Sequence, residues 1–156
     1  MEKQIEAFRY QLLLATKYQR PVSVHCVRAM GKILDTINEV IATTTTSNQD
    51  HEDDDHNNIL PPRIYFHAFG GKASTATQLI RTLEKPRKRR KLKIPNNKNK
   101  HSSSNFKSET TKVYFGFAPL VNFGSPKTTE VIQTVGINRL VLEKPSLRLV
   151  ENHQKN

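Results

Sequence analysis

Two histidines, His25 and His67, stand near the downstream ends of two short apolar runs, and they are the residues of this chain best suited to chemistry. The runs are PVSVHC (residues 21–26) and RIYFHAF (residues 63–69). A neutral imidazole nitrogen can bind a transition metal or carry a proton near neutral pH. If both runs are neighbouring parallel strands, the imidazoles converge at the carboxyl edge of the sheet, where α/β folds keep their reactive groups. The alternative is two unrelated structural histidines.

Strand alternation decides which side chains accompany the histidines. In the first run the two valines and Cys26 share the more apolar face, which leaves His25 on the opposite one. In the second run Tyr65, His67 and Phe69 share a face. The sequence therefore predicts that both imidazoles lie on the same side of a sheet, one strand apart.

The elements that must position these histidines alternate between helix and strand. Apolar residues recur at helical spacing in four segments, which are residues 2–18, 28–41, 74–83 and 126–135. Between them lie four runs typical of strands, which are residues 21–26, 63–68, 112–119 and 137–143. This alternation predicts an α/β fold with about four parallel strands and right-handed crossovers, too few strands to close a barrel.

Two polar low-complexity insertions, residues 42–60 and 85–112, interrupt the predicted domain of residues 1–145. They explain why only 35% of the 156 residues are hydrophobic. We expect both insertions, and the tail of residues 146–156, to be disordered because they cannot bury enough apolar surface. Each insertion joins a helix to the next strand. We therefore expect both insertions at the amino edge of the sheet, opposite the carboxyl edge that carries the histidines.

A basic run supplies much of the formal net charge of +11. Its sequence is KPRKRRKLK, and its charged residues are Lys85, Arg87, Lys88, Arg89, Arg90, Lys91 and Lys93. No aromatic residue is interleaved, so the run lacks a platform for stacking bases and offers only salt-sensitive contact with phosphates. It is either a solvated loop or the working part of a non-enzymatic nuclear or nucleic-acid-associating protein.

The single cysteine and the distribution of apolar residues limit the cellular setting. Cys26 is the only cysteine, so no internal disulfide can form, and a reducing compartment is expected. The first twenty residues do not read as a secretory signal, and no apolar stretch reaches membrane-spanning length. The sequence thus favours a soluble protein of the cytoplasm or nucleus with no membrane partner.

Six short motifs in order resemble the C-terminal half of a TatD-family metal-dependent hydrolase: QLLLA, RPVSVHCVRA, IYFHAFGG, YFGF, SPK and RLVLE. The resemblance implies a partial TIM-type (β/α) barrel and a divalent metal, Mg²⁺, Mn²⁺ or Zn²⁺, at its carboxyl face. It implies deoxyribonuclease activity, with DNA or another phosphodiester as substrate. His25 and His67 match two metal ligands of the family, and Arg28 and Tyr65 match supporting positions.

The chain also departs from the family pattern. Family members begin with a strand carrying His-x-His and later have a strand carrying a ligating glutamate, and this chain starts at Met1 after both. They also continue from a glutamate such as Glu143 into Thr-Asp, whereas Lys144 and Pro145 follow here. A hydrolytic metal site needs three or more protein ligands, carboxylates among them. We therefore expect a truncated and inactive fragment whose open sheet edges allow self-association.

Three further patterns carry weaker signals. Gly70-Gly71 either forms a tight turn or offers backbone N–H groups to a phosphate at a helix N-terminus. The acidic cluster of residues 51–56 has ligand types without the spacing of a known cation loop. Ser23, His25 and Asp35 do not form a catalytic triad, because nothing marks a nucleophile elbow.

Overall fold

The computed structural model describes residues 2–46, 59–87, 110–122 and 124–143. The helices are α1 (Glu2–Lys17), α2 (Met30–Thr46), α3 (Ala73–Leu83), α4 (Pro119–Asn122) and α5 (Pro126–Val135). The strands are β1 (Val22–His25), β2 (Arg63–His67), β3 (Lys112–Phe117) and β4 (Leu140–Leu142).

The four strands form one parallel sheet in the order β1-β2-β3-β4. Each strand therefore pairs with the next one along the chain, an order typical of consecutive strand-helix-strand units. The register aligns His25 with His67 and Phe66 with Phe115. The predicted α/β fold with about four parallel strands is confirmed and corresponds to part of a TIM-type barrel.

The hydrophobic core lies on one face of this sheet. The strand residues on that face are buried, and so are the apolar residues that α1, α2, α3 and α5 turn toward it: Leu12, Val24, Leu34, Ile37, Ile64, Phe66, Leu79, Val113, Phe115 and Val131. The opposite face carries exposed residues such as Ser23, Arg63 and Lys112. Among the described residues the helices thus cover one side of the sheet, and the histidine side faces solvent.

An aromatic cluster closes the carboxyl end of the core. The ring of Phe115 stacks on Phe66 with centroids 5.9 Å apart and meets Phe69 edge to face at 4.9 Å. The prediction that Phe69 shares a face with His67 is wrong, because Phe69 is 3% exposed within the core. Strand alternation ends at Ala68, whose backbone φ of 47° is left-handed and turns the chain across the sheet.

Helix α2 is longer than the sequence predicted. It runs to Thr46 instead of ending near Ile41, so the first five residues of the predicted insertion 42–60 are helical. Along this β-branched run the hydroxyls of Thr43, Thr44 and Thr45 donate to carbonyl oxygens one turn earlier in the helix. The far boundary also shifts, because Leu60 is 3% exposed. Residues 47–58 lie outside the described part of the chain.

The ends of the two insertions meet at the amino edge of the sheet. The Thr111 hydroxyl donates to the carbonyl oxygen of Pro61 at 2.9 Å, and the Lys112 N–H donates to that of Pro62 at 2.9 Å. The second predicted insertion, 85–112, is one residue shorter at its end, because Lys112 begins β3. Residues 88–109 and 144–156, including the predicted tail, lie outside the described residues.

Glu84 ties three segments together at the same edge. It follows α3, accepts the Val113 N–H at 3.0 Å and pairs with the Arg139 guanidinium at 2.7 Å. Burial alone would raise the pKa of Glu84, but the hydrogen bonds from Arg139 and Val113, together with the charges of Arg139 and Lys112, lower this pKa below its usual 4.5. Ionised Glu84 therefore stabilises the folded chain.

We expect Glu84→Gln to lower the free energy of unfolding by about 1.5–3 kcal/mol at pH 7, because a hydrogen bond to a charged group is lost. Because the pKa of Glu84 is lower in the folded state, its contribution to stability is fully present above the unfolded-state pKa. This contribution is lost as the pH falls through the folded-state pKa. Urea unfolding between pH 7 and pH 3 should show the two proteins converging in acid. Glu130→Gln, at an exposed position of α5, is the control and should match the wild type; a constant difference at all pH values would contradict the prediction.

The last predicted strand is shorter than expected. Ile137–Arg139 form a 3₁₀ turn after Gly136, whose φ is 75°, and only Leu140–Leu142 pair with β3. No helix within the described ranges is long and apolar enough to cross a membrane. Glu143 comes directly after this short strand.

Candidate active site

His25 and His67 lie at the carboxyl ends of β1 and β2 and are direct partners in the strand register. Their ring centroids are 5.4 Å apart, with the ring planes at 44°. The predicted convergence of the two imidazoles on one side of adjacent parallel strands is confirmed. Both face solvent, and the side chain of His67 is 45% exposed.

Glu143 is the carboxylate that accompanies this pair. Its Oε1 lies 3.1 Å from Nδ1 of His67, and its side chain is only 7% exposed. The strand order places it there, because β4 ends beside β3 and its next residue reaches across to the end of β2. From the sequence, Glu143 was recognised only as part of a family motif, and this contact was not predicted.

Two further donors converge on the same carboxylate oxygen. The Tyr65 hydroxyl donates to Oε1 of Glu143 at 2.5 Å, and the backbone N–H of Ala68 donates to it at 2.7 Å. An O–H···O distance of this length is typical of a hydrogen bond to an ionised carboxylate. The left-handed backbone of Ala68 lies next to His67, so the bend that ends β2 also supplies a donor to the site. Tyr65, for which the resemblance implies at most a supporting position, is a hydrogen-bond partner of Glu143.

The environment keeps Tyr65 protonated. Burial of its hydroxyl, the hydrogen bond to Glu143 and the negative charge of that carboxylate together raise the pKa of Tyr65 well above its ordinary value of 10.0. The phenol therefore remains a hydrogen-bond donor over the whole physiological pH range. It holds the carboxylate in place rather than acting as a base.

Gly116 provides the space in which Tyr65 and Glu143 meet. A Cβ atom at position 116 would overlap both the Tyr65 hydroxyl and Oε1 of Glu143. Gly116 lies on β3 between the two strands that carry these side chains, and its register partner is Val141. The glycine of the YFGF motif is therefore required by close packing, a role that one sequence does not reveal.

Asn122 connects the loops that follow β2 and β3. Its side-chain amide donates to the Phe69 carbonyl at 2.9 Å, and its Oδ1 accepts the Ala118 N–H at 2.7 Å. Asn122 is 2% exposed, so these bonds satisfy polar groups that cannot reach water. Its role was not predicted from the sequence, because nothing in its neighbourhood marks it.

The remaining predicted residues lie apart from this cluster or outside the described residues. Arg28 is exposed in the turn after β1 with a left-handed φ of 56°, and Cys26 is a half-buried thiol. Gly70 and Gly71 form the turn into α3, where a Cβ at position 71 would come within 2.5 Å of the Phe69 ring. This packing explains why position 71 is a glycine. The acidic cluster of residues 51–56 lies outside the described residues.

Only two members of the basic run fall within the described residues. Lys85 is exposed, whereas the Arg87 guanidinium donates to the carbonyl oxygens of Thr82 and Leu83 at the end of α3, at 2.5 and 3.4 Å. Arg87 therefore caps a helix in this structure. The other five residues, Lys88, Arg89, Arg90, Lys91 and Lys93, are not described.

The residues present can be compared with the metal site that the sequence resemblance implies. A tetrahedral zinc ion with Zn–N distances of about 2.0–2.1 Å separates the centroids of two coordinating rings by roughly 5 Å. The histidine pair fits that spacing. However, Oε1 of Glu143 already accepts hydrogen bonds from Tyr65 and Ala68, and the described residues contain no group of three or more His, Cys, Asp or Glu side chains that could hold a metal ion. They do not fit a complete hydrolytic metal centre.

Comparison with known families gives one result. The family model described as TatD related DNase matches residues 1–85, which extend from α1 past the end of α3 and include both His25 and His67. No curated protein and no solved structure matches this chain significantly. Glu143 and Gly116 lie beyond the matched segment.

Proposed function

Because this chain belongs to the family of TatD-related DNases, we propose that it keeps the histidine part of a phosphodiesterase site but does not hydrolyse DNA by itself. The observation that carries this proposal is the composition of the carboxyl edge. Two imidazoles stand 5.4 Å apart there, and the nearby carboxylate is engaged with Tyr65, Ala68 and His67.

The TatD family is generally metal-dependent, and the donor set explains why the chain should bind a metal weakly. Imidazole nitrogens suit Zn²⁺, whereas Mg²⁺ and Mn²⁺ prefer carboxylate oxygens. Two imidazoles give Zn²⁺ two ligands but give Mg²⁺ and Mn²⁺ none of the carboxylate oxygens that these ions prefer. We propose that His25 and His67 bind one Zn²⁺-like ion with low affinity and that Mg²⁺ does not bind.

The same donor set explains the proposed lack of hydrolysis. Cleaving a phosphodiester requires an activated water and a group that stabilises the developing charge on phosphate. Glu143 is not placed to act as the base, because its Oε1 accepts hydrogen bonds from Tyr65 and Ala68 and its Oε2 is buried. The site therefore retains a binding element without the machinery that activates water.

We expect no turnover of plasmid DNA or of bis(4-nitrophenyl) phosphate above buffer with Mg²⁺, Mn²⁺ or Zn²⁺. A complete metal centre contributes several kcal/mol to the transition state, and its loss removes several powers of ten in rate. Turnover by the full chain should equal that of a His25→Ala/His67→Ala double variant purified in the same way. Activity that disappears in the double variant would overturn the proposal and would indicate that copies of the chain associate into a working site.

Metal binding is tested separately by calorimetric titration with Zn²⁺. One weak site should appear in the wild type and vanish in the His25→Ala/His67→Ala variant. A matched control, His51→Ala/His56→Ala, removes two histidines from the acidic cluster and should leave the titration unchanged. If the control variant abolishes binding instead, the acidic cluster holds the metal, and the histidine pair does not.

A further inference from the structure

The two outer strands of the sheet leave two free edges that differ from each other. Within the described residues β1 pairs only with β2, and β4 pairs only with β3. Unpaired backbone groups at a sheet edge are a template for pairing with another strand. In chain order the described elements start with a helix, α1, and end with a strand, β4. The β1 edge therefore has a helix beside it, whereas the β4 edge is a bare strand.

Leu142 shows that the helix layer stops short of the β4 edge. It is the register partner of Phe117, which is 6% exposed in the core, yet Leu142 itself is 94% exposed. Register partners on neighbouring strands project from the same face of a sheet. Leu142 thus lies on the apolar face of the sheet, where no described helix covers it. A helix placed beyond β4 would bury this side chain.

The exposed large apolar side chains of the described residues are all found at these two edges. They belong to α1, to the turns before and after β1, to the 3₁₀ turn before β4, and to β4 itself: Tyr10, Leu13, Leu14, Tyr18, Val27, Ile137 and Leu142. The inner elements of the described fold contribute none of them. Apolar side chains concentrated in this way mark a surface that another protein covers.

The orientation of α1 leaves one of its flanks open at the β1 edge. Arg9 pairs with Glu39 of α2, which fixes the side of α1 that faces its neighbour. Tyr18 lies nine positions further on, about two and a half helical turns, and therefore on the opposite side of the axis. The Tyr18 N–H donates to the Leu14 carbonyl at 3.0 Å, so helical geometry reaches this residue. Tyr18 is 62% exposed and available to a second molecule.

We propose that two copies of this chain join head to tail, with β4 of each copy pairing in parallel with β1 of the other. Four parallel strands from each copy make eight, the number at which such a sheet closes into a barrel. A two-fold axis along the barrel turns the head-to-tail contacts into a closed ring instead of a fibre. The inference goes beyond the proposed function and holds whether or not the imidazoles bind an ion.

Each seam between the copies brings apolar residues together at both of its ends. Tyr18 precedes β1 and Ile137 precedes β4, so both lie at the amino edge of the sheet. Val27 follows β1 and Leu142 ends β4, so both lie at the carboxyl edge. In the pair, α1 of one copy lies beyond β4 of the other, where Leu142 needs cover.

The size of the two seams matches that of a stable interface. A specific interface buries roughly 1,200–2,000 Å² and involves about 20–30 residues on each side. The elements at the two edges, α1, β1, the 3₁₀ turn and β4, supply about that many residues from each copy. Two seams formed together therefore provide enough surface for a specific pair.

Closure also explains the uncovered face of the sheet. Parallel sheets occur almost only with both faces covered. The register row Ser23, Tyr65 and Tyr114 crosses the middle of the uncovered face and would form an interior layer of the pair. Arg63 and Lys112 begin their strands, so these long side chains can carry their charges out into water at the amino edge.

We expect the pair to form with a dissociation constant in the micromolar range. Interfaces of standard size have affinities from micromolar to picomolar, and the formal charge of +11 on each copy opposes association. The single chain therefore predominates below about 0.5 µM, and the pair predominates at about 50 µM. Unfolding measured on the dilute protein reports the single chain.

The test is sedimentation equilibrium of the full chain in about 0.15 M salt over this concentration range. The wild type should shift from the mass of one chain to twice that mass. Tyr18→Lys alters the β1 edge and Ile137→Glu alters the β4 edge, and each should weaken association about ten-fold or more, because an unpaired charge enters a seam. Gln78→Glu, on the exposed side of α3 between the edges, is the control and should associate like the wild type.

Mixing the two edge variants tests the head-to-tail order. A mixed pair has one unaltered seam and one seam in which a lysine at position 18 meets a glutamate at position 137. Association should therefore return on mixing, although each variant alone remains a single chain. Val27→Lys mixed with Leu142→Glu repeats the exchange at the carboxyl edge, which keeps the test decisive if an amino-edge variant does not fold.

Three results would overturn the proposal. The wild type could remain a single chain at about 200 µM, well above the expected dissociation constant. Its mass could rise beyond two copies, which would indicate an open fibre instead of a closed pair. Association could also be lost in only one of the two edge variants and not return on mixing, which would indicate that like edges pair with like.

Discussion

Replacing Gly116 by alanine is expected to lower the free energy of unfolding by about 2–4 kcal/mol, because the added methyl group forces Tyr65 and Glu143 apart. The new Cβ would overlap the Tyr65 hydroxyl and Oε1 of Glu143. The buried carboxylate would then lose donors that it cannot replace. Where no such contact exists, replacing a glycine within a strand by alanine raises the free energy of unfolding. We expect Gly116→Ala to lower it, which is the opposite of this intrinsic effect.

Urea unfolding of the Gly116→Ala variant measures this loss. Gly31→Ala is the matched control. Gly31 lies in α2, and no atom lies within 4 Å of the place that an added methyl group would take, so that variant should be more stable by about 0.5–1 kcal/mol. Equal stability of Gly116→Ala and the wild type would show that the Tyr65–Glu143 contact is not formed in solution.

Phe115→Ala should be the most damaging single change in the core, with a loss of about 3–5 kcal/mol. Phe115 is fully buried and contacts both Phe66 and Phe69 through its ring. Domains of this kind have a total stability of about 5–15 kcal/mol. The loss is therefore a large share of the total, and the variant should unfold at a markedly lower urea concentration than the wild type.

Circular dichroism and urea unfolding check the expectation for Phe115→Ala. Leu142→Ala is the control, because Leu142 is 94% exposed on the neighbouring strand and its truncation should change stability by less than about 0.5 kcal/mol. A loss below about 1 kcal/mol for Phe115→Ala would mean that the aromatic cluster is not the centre of the core.

Much of the fold could be predicted from the sequence, because hydrophobic periodicity and strand alternation are local. The helix Pro126–Val135 has the predicted bounds, and the strand Lys112–Phe117 begins at the predicted residue and ends two residues earlier than predicted. The pairing of His25 with His67 followed from two strands separated by one helix. The end of α2 was missed because threonine hydroxyls, which usually disfavour helix interiors, bond here to carbonyls one turn back.

The environment of the site could not be predicted in the same way. The contact between Tyr65 and Glu143 joins residues 78 positions apart and depends on how β4 aligns with β3. The place of Phe69 depends on a left-handed φ at an alanine, which no residue pattern announces. Gly116 matters only because two side chains from other strands meet above it. Each of these features arises from tertiary register.

The strand order of the sheet also has a consequence for the sequence of events in folding. Because β1, β2, β3 and β4 pair in chain order, each new strand can add to the edge left by the one before it. Assembly can thus follow synthesis, from the amino end to the carboxyl end. The two histidines come together with the first strand pair, whereas Glu143 arrives with the last and shortest strand. The contacts of Glu143 with His67 and Tyr65 therefore form only at the final step of building the sheet.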